Sequence, residues 1–125
     1  MELRDLKYKE DNGNIKVAKP LITFASGEMV ERIFALQVLI AGNQADENID
    51  FMSIYEEFLN LLTRVYGVDK DTLNRNKPYK LIQADAEYVI AKIMDDIQGD
   101  STDGLVDALI SGDEDKIPSE YKEWY

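Results

Sequence analysis

Histidine and cysteine are both absent from this chain. Without cysteine there is no disulfide, no thiolate nucleophile and no Cys-ligated zinc, a composition that suits the cytosol. Without histidine the commonest general base and metal ligand is gone. The seven glycines stand singly, so no Gly-rich phosphate loop is present. No apolar run reaches the roughly 18 to 20 residues of a membrane span. The opening "MELRDLKYKEDNG" is charged from its second residue, which predicts no secretory signal. Basic residues are scarce as well, 14 against 25 acidic ones, for a net charge of −11. Such a balance repels phosphate backbones and no basic patch is visible along the chain, so neither nucleic acid nor a membrane is an expected partner.

What is there reads as one folded domain. The 125 residues are 45% hydrophobic and 31% charged, the composition of a globular chain long enough for one core. Residues 95–125 hold ten acidic and two basic side chains, whereas residues 1–94 hold fifteen and twelve. The excess charge is therefore concentrated at the C-terminal end.

The expected fold is mainly α, a small domain of three to four helices over residues 1–112, with an N-terminal β-hairpin or extended arm over 1–24. An acidic, aromatic-tipped tail over 113–125 follows. Leu3–Lys9 and Ile15–Val17 flank Asn12-Gly13, the favoured pair of a type I′ hairpin turn. Pro20 has no N–H for a ladder and limits the second arm, after which "LITF" can resume the extended run. Ser26 is placed to cap a helix over 27–41 that stops at Gly42. Glu28 and Arg32 have the spacing of an i,i+4 pair on it. A polar loop over 42–50 leads to a helix over 50–66, where Ser53 and Glu56 have capping-box spacing. Phe51, Tyr55, Phe58, Leu62 and Val65 recur on one face of that helix, and Gly67 ends it. Residues 68–79 form a connector in which a short turn can start at Asp69 or Asp71. Further helices are expected over 81–98 and 102–111.

Little in the chain points to catalysis. A serine nucleophile needs an activating base, normally histidine, so Ser26 reads as a cap. Glu56/Glu57 and Asp95/Asp96 are adjacent on helices and point about 100° apart, so neither pair converges on one atom as a glycosidase pair must. "DKDTLNRNKPYK" from Asp69 and "DEDKIPSEYKEW" from Asp113 start like calcium loops. Each fails after its third position, and the first has Lys80 where the bidentate Glu belongs. No enzyme activity, metal or cofactor is expected.

The prominent signal is apolar surface. In "KPLITFASGEMVERIFALQVLI" the helix after Ser26 is apolar on most of its sides. Either it is the central, buried element of the bundle, or one side packs inward and the other meets a partner. The same two readings apply to Leu105, Val106, Leu109 and Ile110, on an element too short to be stable alone. Tyr121, Trp124 and Tyr125 put three aromatics in the last five residues, where they either contact a partner or dock on their own domain.

The order of these pieces, an extended "KPLITF" run into "SGEMVERIFALQ", then "MSIYEEFLNLLTRVYG", then "AEYVIAKIMDDIQGD" before an acidic end, resembles the tail assembly chaperones of long-tailed, non-contractile bacteriophages and prophages. The likeness spans about residues 15–100. It departs from the family where "GVDKDTLN" replaces a Phe-containing connector. The resemblance implies a non-enzymatic protein of the host bacterial cytoplasm that binds and solubilises the tape-measure protein. It would promote assembly of tail-tube protein around that client and be absent from the mature virion. It also implies, in many relatives, a longer product made by −1 ribosomal frameshifting. Self-association is left open. No family motif transfers residue by residue. The contact residues expected on physical grounds are Phe34, Leu36, Phe58, Leu105, Leu109, Tyr121, Trp124 and Tyr125. The competing readings are an acidic inhibitor or nucleic-acid mimic, which would spread carboxylates over the folded body, and a small structural adaptor retained in the particle.

Overall fold

The computed structural model describes residues 1–45, 51–99 and 102–125, a mainly helical chain with one antiparallel hairpin at its start. Strands β1 (Leu6–Lys9) and β2 (Ile15–Ala18) pair with Leu6 opposite Ala18 and Lys9 opposite Ile15. Five α-helices follow, α1 (Gly27–Ala45), α2 (Phe51–Tyr66), α3 (Lys70–Asn76), α4 (Tyr79–Gln98) and α5 (Asp103–Ser111), then 3₁₀ turns at Glu114–Lys116 and Ser119–Trp124.

The hairpin turn is not type I′, which needs positive φ at both central residues. Gly13 has it, at 86°, and Asn12 does not. Instead Gly13 N–H donates to Glu10 O and Glu10 N–H to Asn14 O, both at 2.9 Å. This is a three-residue loop with glycine in the left-handed position of a bulge. The Asn12 side chain accepts from Asn14 N–H at 2.9 Å and braces the loop without entering that region itself.

Residues 19–26 form no strand. Leu21 N–H donates to Val65 O at 2.8 Å, so the arm satisfies one of the carbonyls that every helix C-terminus leaves open. Gly67 ends α2 with φ +68°, and a Cβ there would lie 2.8 Å from Leu21 Cδ1. Ser26 does cap α1, its Oγ accepting from Met29 N–H at 3.3 Å. The helix runs through Gly42 to Ala45 because Gly42 stays out of the left-handed conformation that a C-terminal cap uses. Ser53 lies inside α2, so the Ser53–Glu56 spacing is helix interior and not a capping box; residues 46–50 lie outside the described residues. The connector contains a full seven-residue helix, α3, whose N-cap Asp69 accepts from Thr72 N–H at 3.0 Å. That capping role accounts for the acidic start of the calcium-like stretch.

The core is built around α2, which packs against α1, α3 and α4. Its residues Ile54, Phe58, Leu59, Leu61, Leu62 and Val65 are all buried, covering well over a third of the helix circumference. The central helix is therefore α2 and not α1. From α1 come Met29, Ile33 and Leu36; from α4, Ile82, Ala86, Val89 and Ile93. Glu28 and Arg32 do not pair with each other. Glu28 meets Arg64 at 2.7 Å and Arg32 approaches Glu57 at 4.0 Å, so both side chains tie α1 to an antiparallel α2. The Glu28–Arg64 tie is solvent-exposed and the Arg32–Glu57 tie partly so, and each contributes about 0–1 kcal/mol. Tyr66 O–H donates to Arg4 O at 2.8 Å and Arg4 N–H donates to Tyr88 Oη at 3.0 Å, which fastens the N-terminal arm across α2 and α4.

Residues 113–125 are wound into the two turns instead of running out as an extended tail. Gly112 closes α5 in the left-handed region, and Asp113 N–H donates to Ala108 O at 3.2 Å. Ala108 and Ile117 are buried, yet neither belongs to the main core cluster, so this end has a small apolar nucleus of its own.

Candidate functional site

Helix α1 turns Met29, Ile33 and Leu36 inward, and this phase decides what faces outward. Phe34, Val38 and Ala41, at i, i+4 and i+7, fall on the opposite side. Phe34 is 47% and Val38 72% exposed, and Ala35 and Ala41 are also at the surface. The stripe carries no charge between Glu31 and the end of the described side chains of α1. At Ala41 it runs into a groove of about 420 Å³ between α1 and α4, lined by Ile40, Ile90, Ala91 and Met94 with Gln37 and Glu87 at its rim. Ala41 and Ala91 are small enough for a third backbone to approach closely. A face of this kind, with apolar anchors at helical spacing beside a shallow groove, is the form in which an amphipathic helix is received.

Of the residues expected to touch a partner, Phe34 lies on this surface. Leu36 and Phe58 do not: each is 2% exposed and packed into the core. The correction follows from phase, since Leu36 sits about 200° around the helix from Phe34 and Phe58 lies on the buried arc of the central helix. Leu105 is half-buried, whereas Leu109, with its neighbours Val106 and Ile110, is exposed on α5. Tyr121, Trp124 and Tyr125 are also exposed, but Trp124 meets Phe24 edge-to-face with ring centroids 5.7 Å apart. The tip aromatics thus sit beside the arm that precedes α1, and Trp124 docks on its own chain. Phe34 lies about 10 Å along α1 from Gly27, so the expected residues do not converge on one site.

Val38, Ala41, Ile90 and Met94 were missing from the expected set. A helical wheel anchored on Met29, Ile33 and Leu36 would have pointed to Val38 and Ala41, but the α4 residues need the tertiary packing.

The titratable groups do structural work. Burial, with Tyr88, Asp85 and Asp5 nearby, pushes the Tyr66 hydroxyl up to about 12. Burial also raises Tyr55, whose O–H donates to Asn74 Oδ1 at 3.0 Å. Hydrogen bonds from Asn76 and Arg75 hold the Asp11 carboxyl below its ordinary range. Among the described residues no group of three or more acidic side chains is placed to hold a metal ion, and no helix is long and apolar enough to cross a membrane. No protein-family model matches the chain, and neither the curated proteins nor the solved structures contain a match to it.

Proposed function

We propose that this protein is a tail assembly chaperone of a long-tailed, non-contractile phage or prophage, acting in the host cytoplasm to keep the tape-measure protein soluble while tail-tube subunits gather around it. The observation that carries the reading is the uncharged outer stripe of α1, Phe34–Val38–Ala41, running into the α1–α4 groove. A tape-measure protein is a long helical chain with apolar faces, and this surface offers such a helix apolar anchors and close approach. The net charge of −11 complements the role, since like-sign repulsion keeps a protein with exposed apolar surface from precipitating on itself. The sequence likeness over residues 15–100 supplies the phage context. No catalytic step is part of this function.

The placement of charge favours this reading over an acidic inhibitor. The excess carboxylates lie at the C-terminal end, while Glu28, Glu56 and Asp85 on the body are paired with Arg64, Lys70 and Lys77. Co-expression with the tape-measure gene tests the proposal. The expected result is soluble tape-measure protein in stable complex with this chain. A tape-measure protein that stays insoluble, or soluble but unbound, contradicts it. Expressing the gene with its native downstream DNA adds an independent readout, a second product of larger intact mass that shares this N-terminus and reads into the −1 frame.

A further inference from the structure

Basic residues are scarce in this chain, 14 against 25 acidic ones. The hairpin nevertheless gathers Lys7, Lys9 and Lys16 on its two strands and Lys19 directly after them, with no acidic residue on either strand. All four lysines are exposed, and none meets a carboxylate among the described residues. Between them, Ile15 is 66% and Val17 53% exposed.

The two edges of the hairpin differ. Glu10 N–H donates to Asn14 O, and bonding directions alternate along an antiparallel ladder. Tyr8 and Lys16 therefore bond across the pair, while Ile15 and Val17 turn their N–H and C=O groups away from β1. The β1 edge is covered. Helix α3 packs against it, Lys77 Nζ donates to Lys7 O, and Arg75 and Asn76 hold Asp11 at the tip. On the β2 edge the outward groups of Ile15 and Val17 have no hydrogen-bond partner among the described residues. Pro20, which has no N–H, ends the usable edge.

An edge of this kind is a template for one more strand. Its side chains dictate what that strand carries. Positions beside Ile15 and Val17 gain by being apolar, and the position beside Lys16, on the other face, gains by being acidic. Lys7 and Lys9 stand opposite Val17 and Ile15 and add to the positive field on that side. A second copy of β2 does not meet this requirement, because it brings lysines against lysines, a common guard against edge-to-edge pairing. The same guard becomes an attraction when the incoming strand is acidic.

We infer that the free edge of β2 receives an extended segment of a different protein, one that alternates apolar and acidic residues, as a third strand of the sheet. The contact goes beyond the client capture proposed above and does not depend on it, because it uses neither Phe34 nor the α1–α4 groove.

The probe is a capped synthetic peptide of about seven residues that alternates valine with glutamate. Titrated into the full-length chain and followed by amide NMR, it should bind with a Kd of about 1 mM or tighter. At about ten times that Kd, exchange of the Ile15 and Val17 amides should slow about tenfold. V17P removes an outward N–H and leaves the β1–β2 bonds in place, so it should bind at least about tenfold more weakly. The same peptide N-methylated on its backbone asks this question of the unaltered chain and should not bind. K9E/K16E should lose the glutamate peptide and gain one with lysine in its place. No binding by the parent, binding without protection of Ile15 and Val17, or equal binding of the N-methylated peptide would each overturn the inference. So would a single-stranded oligonucleotide that binds the hairpin as tightly as the peptide, or protection of these amides by self-pairing of the parent alone.

Discussion

Asp11 at the hairpin tip meets Arg75 of α3 through two hydrogen bonds, Nε to Oδ1 at 3.3 Å and Nη2 to Oδ2 at 3.1 Å, while Asn76 Nδ2 donates to Oδ1 at 2.8 Å. The contact joins residues 64 positions apart and holds the hairpin against the helices. The hydrogen bonds from Asn76 and Arg75 lower the Asp11 pKa, so its folded-state value lies below the unfolded one. Its contribution is therefore present above about pH 4 and fades as pH falls through the folded value. D11N should speed amide exchange in β1 and β2 near neutral pH and bring it toward that of the parent in acid. Equal exchange in the two proteins at neutral pH would show that the contact does not hold the hairpin.

Tyr66 makes the opposite pH prediction. Its hydroxyl, raised to about 12, favours the neutral form in the folded protein. The stability it contributes is whole below the unfolded tyrosine value near 10 and is lost as pH rises through about 12. Y66F keeps the ring but loses the hydrogen bond to Arg4 O, at a cost of about 0.5–1.5 kcal/mol. Denaturant unfolding followed from neutral to strongly alkaline pH should show a shallower alkaline decline in Y66F than in the parent.

Gly67 combines a backbone and a steric constraint. G67A must hold φ +68° and place a methyl against Leu21. The left-handed conformation alone costs about 1–2 kcal/mol for a residue with a Cβ. Leu21 is 69% exposed and can move aside, so L21A should recover only the steric part of the loss. Urea unfolding of both single variants and the double variant separates the two, and full recovery in L21A/G67A would contradict the backbone argument.

The core was legible where one strong period governs a helix. On α2, Phe51, Tyr55, Phe58, Leu62 and Val65 repeat at helical spacing, and the structure buries the last four, whereas Phe51, in the first turn of the helix, is 47% exposed. On α1 the apolar residues surround most of the helix, so hydrophobicity alone cannot distinguish Leu36, which is buried, from Phe34, which is not. Only packing on α2 sets the phase. Helix α3 is longer than the short turn expected there because seven residues give no periodic signal, although the Asp69-x-x-Thr72 cap is readable in the sequence. The ion pairs could not be read from i,i+4 spacing once a neighbouring helix competed for Glu28 and Arg32.

That phase can be tested on adjacent positions. L36A should destabilise the fold by about 2–5 kcal/mol and F58A by about 3–5. The polar substitution V38D, two residues from Leu36 but on the open face, should change stability by no more than about 0.5 kcal/mol. Comparable losses at Leu36 and Val38 would mean that α1 is rotated from the orientation described.

Capture of the tape-measure protein by F34D/V38D, co-expressed and purified in parallel with the parent chain, tests the proposed client surface most directly. The F34D/V38D variant is expected to fold and to recover at least about tenfold less soluble tape-measure protein, the equivalent of 1.4 kcal/mol. A folded F34D/V38D that recovers as much client as the parent would show that the outer face of α1 is not where the client binds.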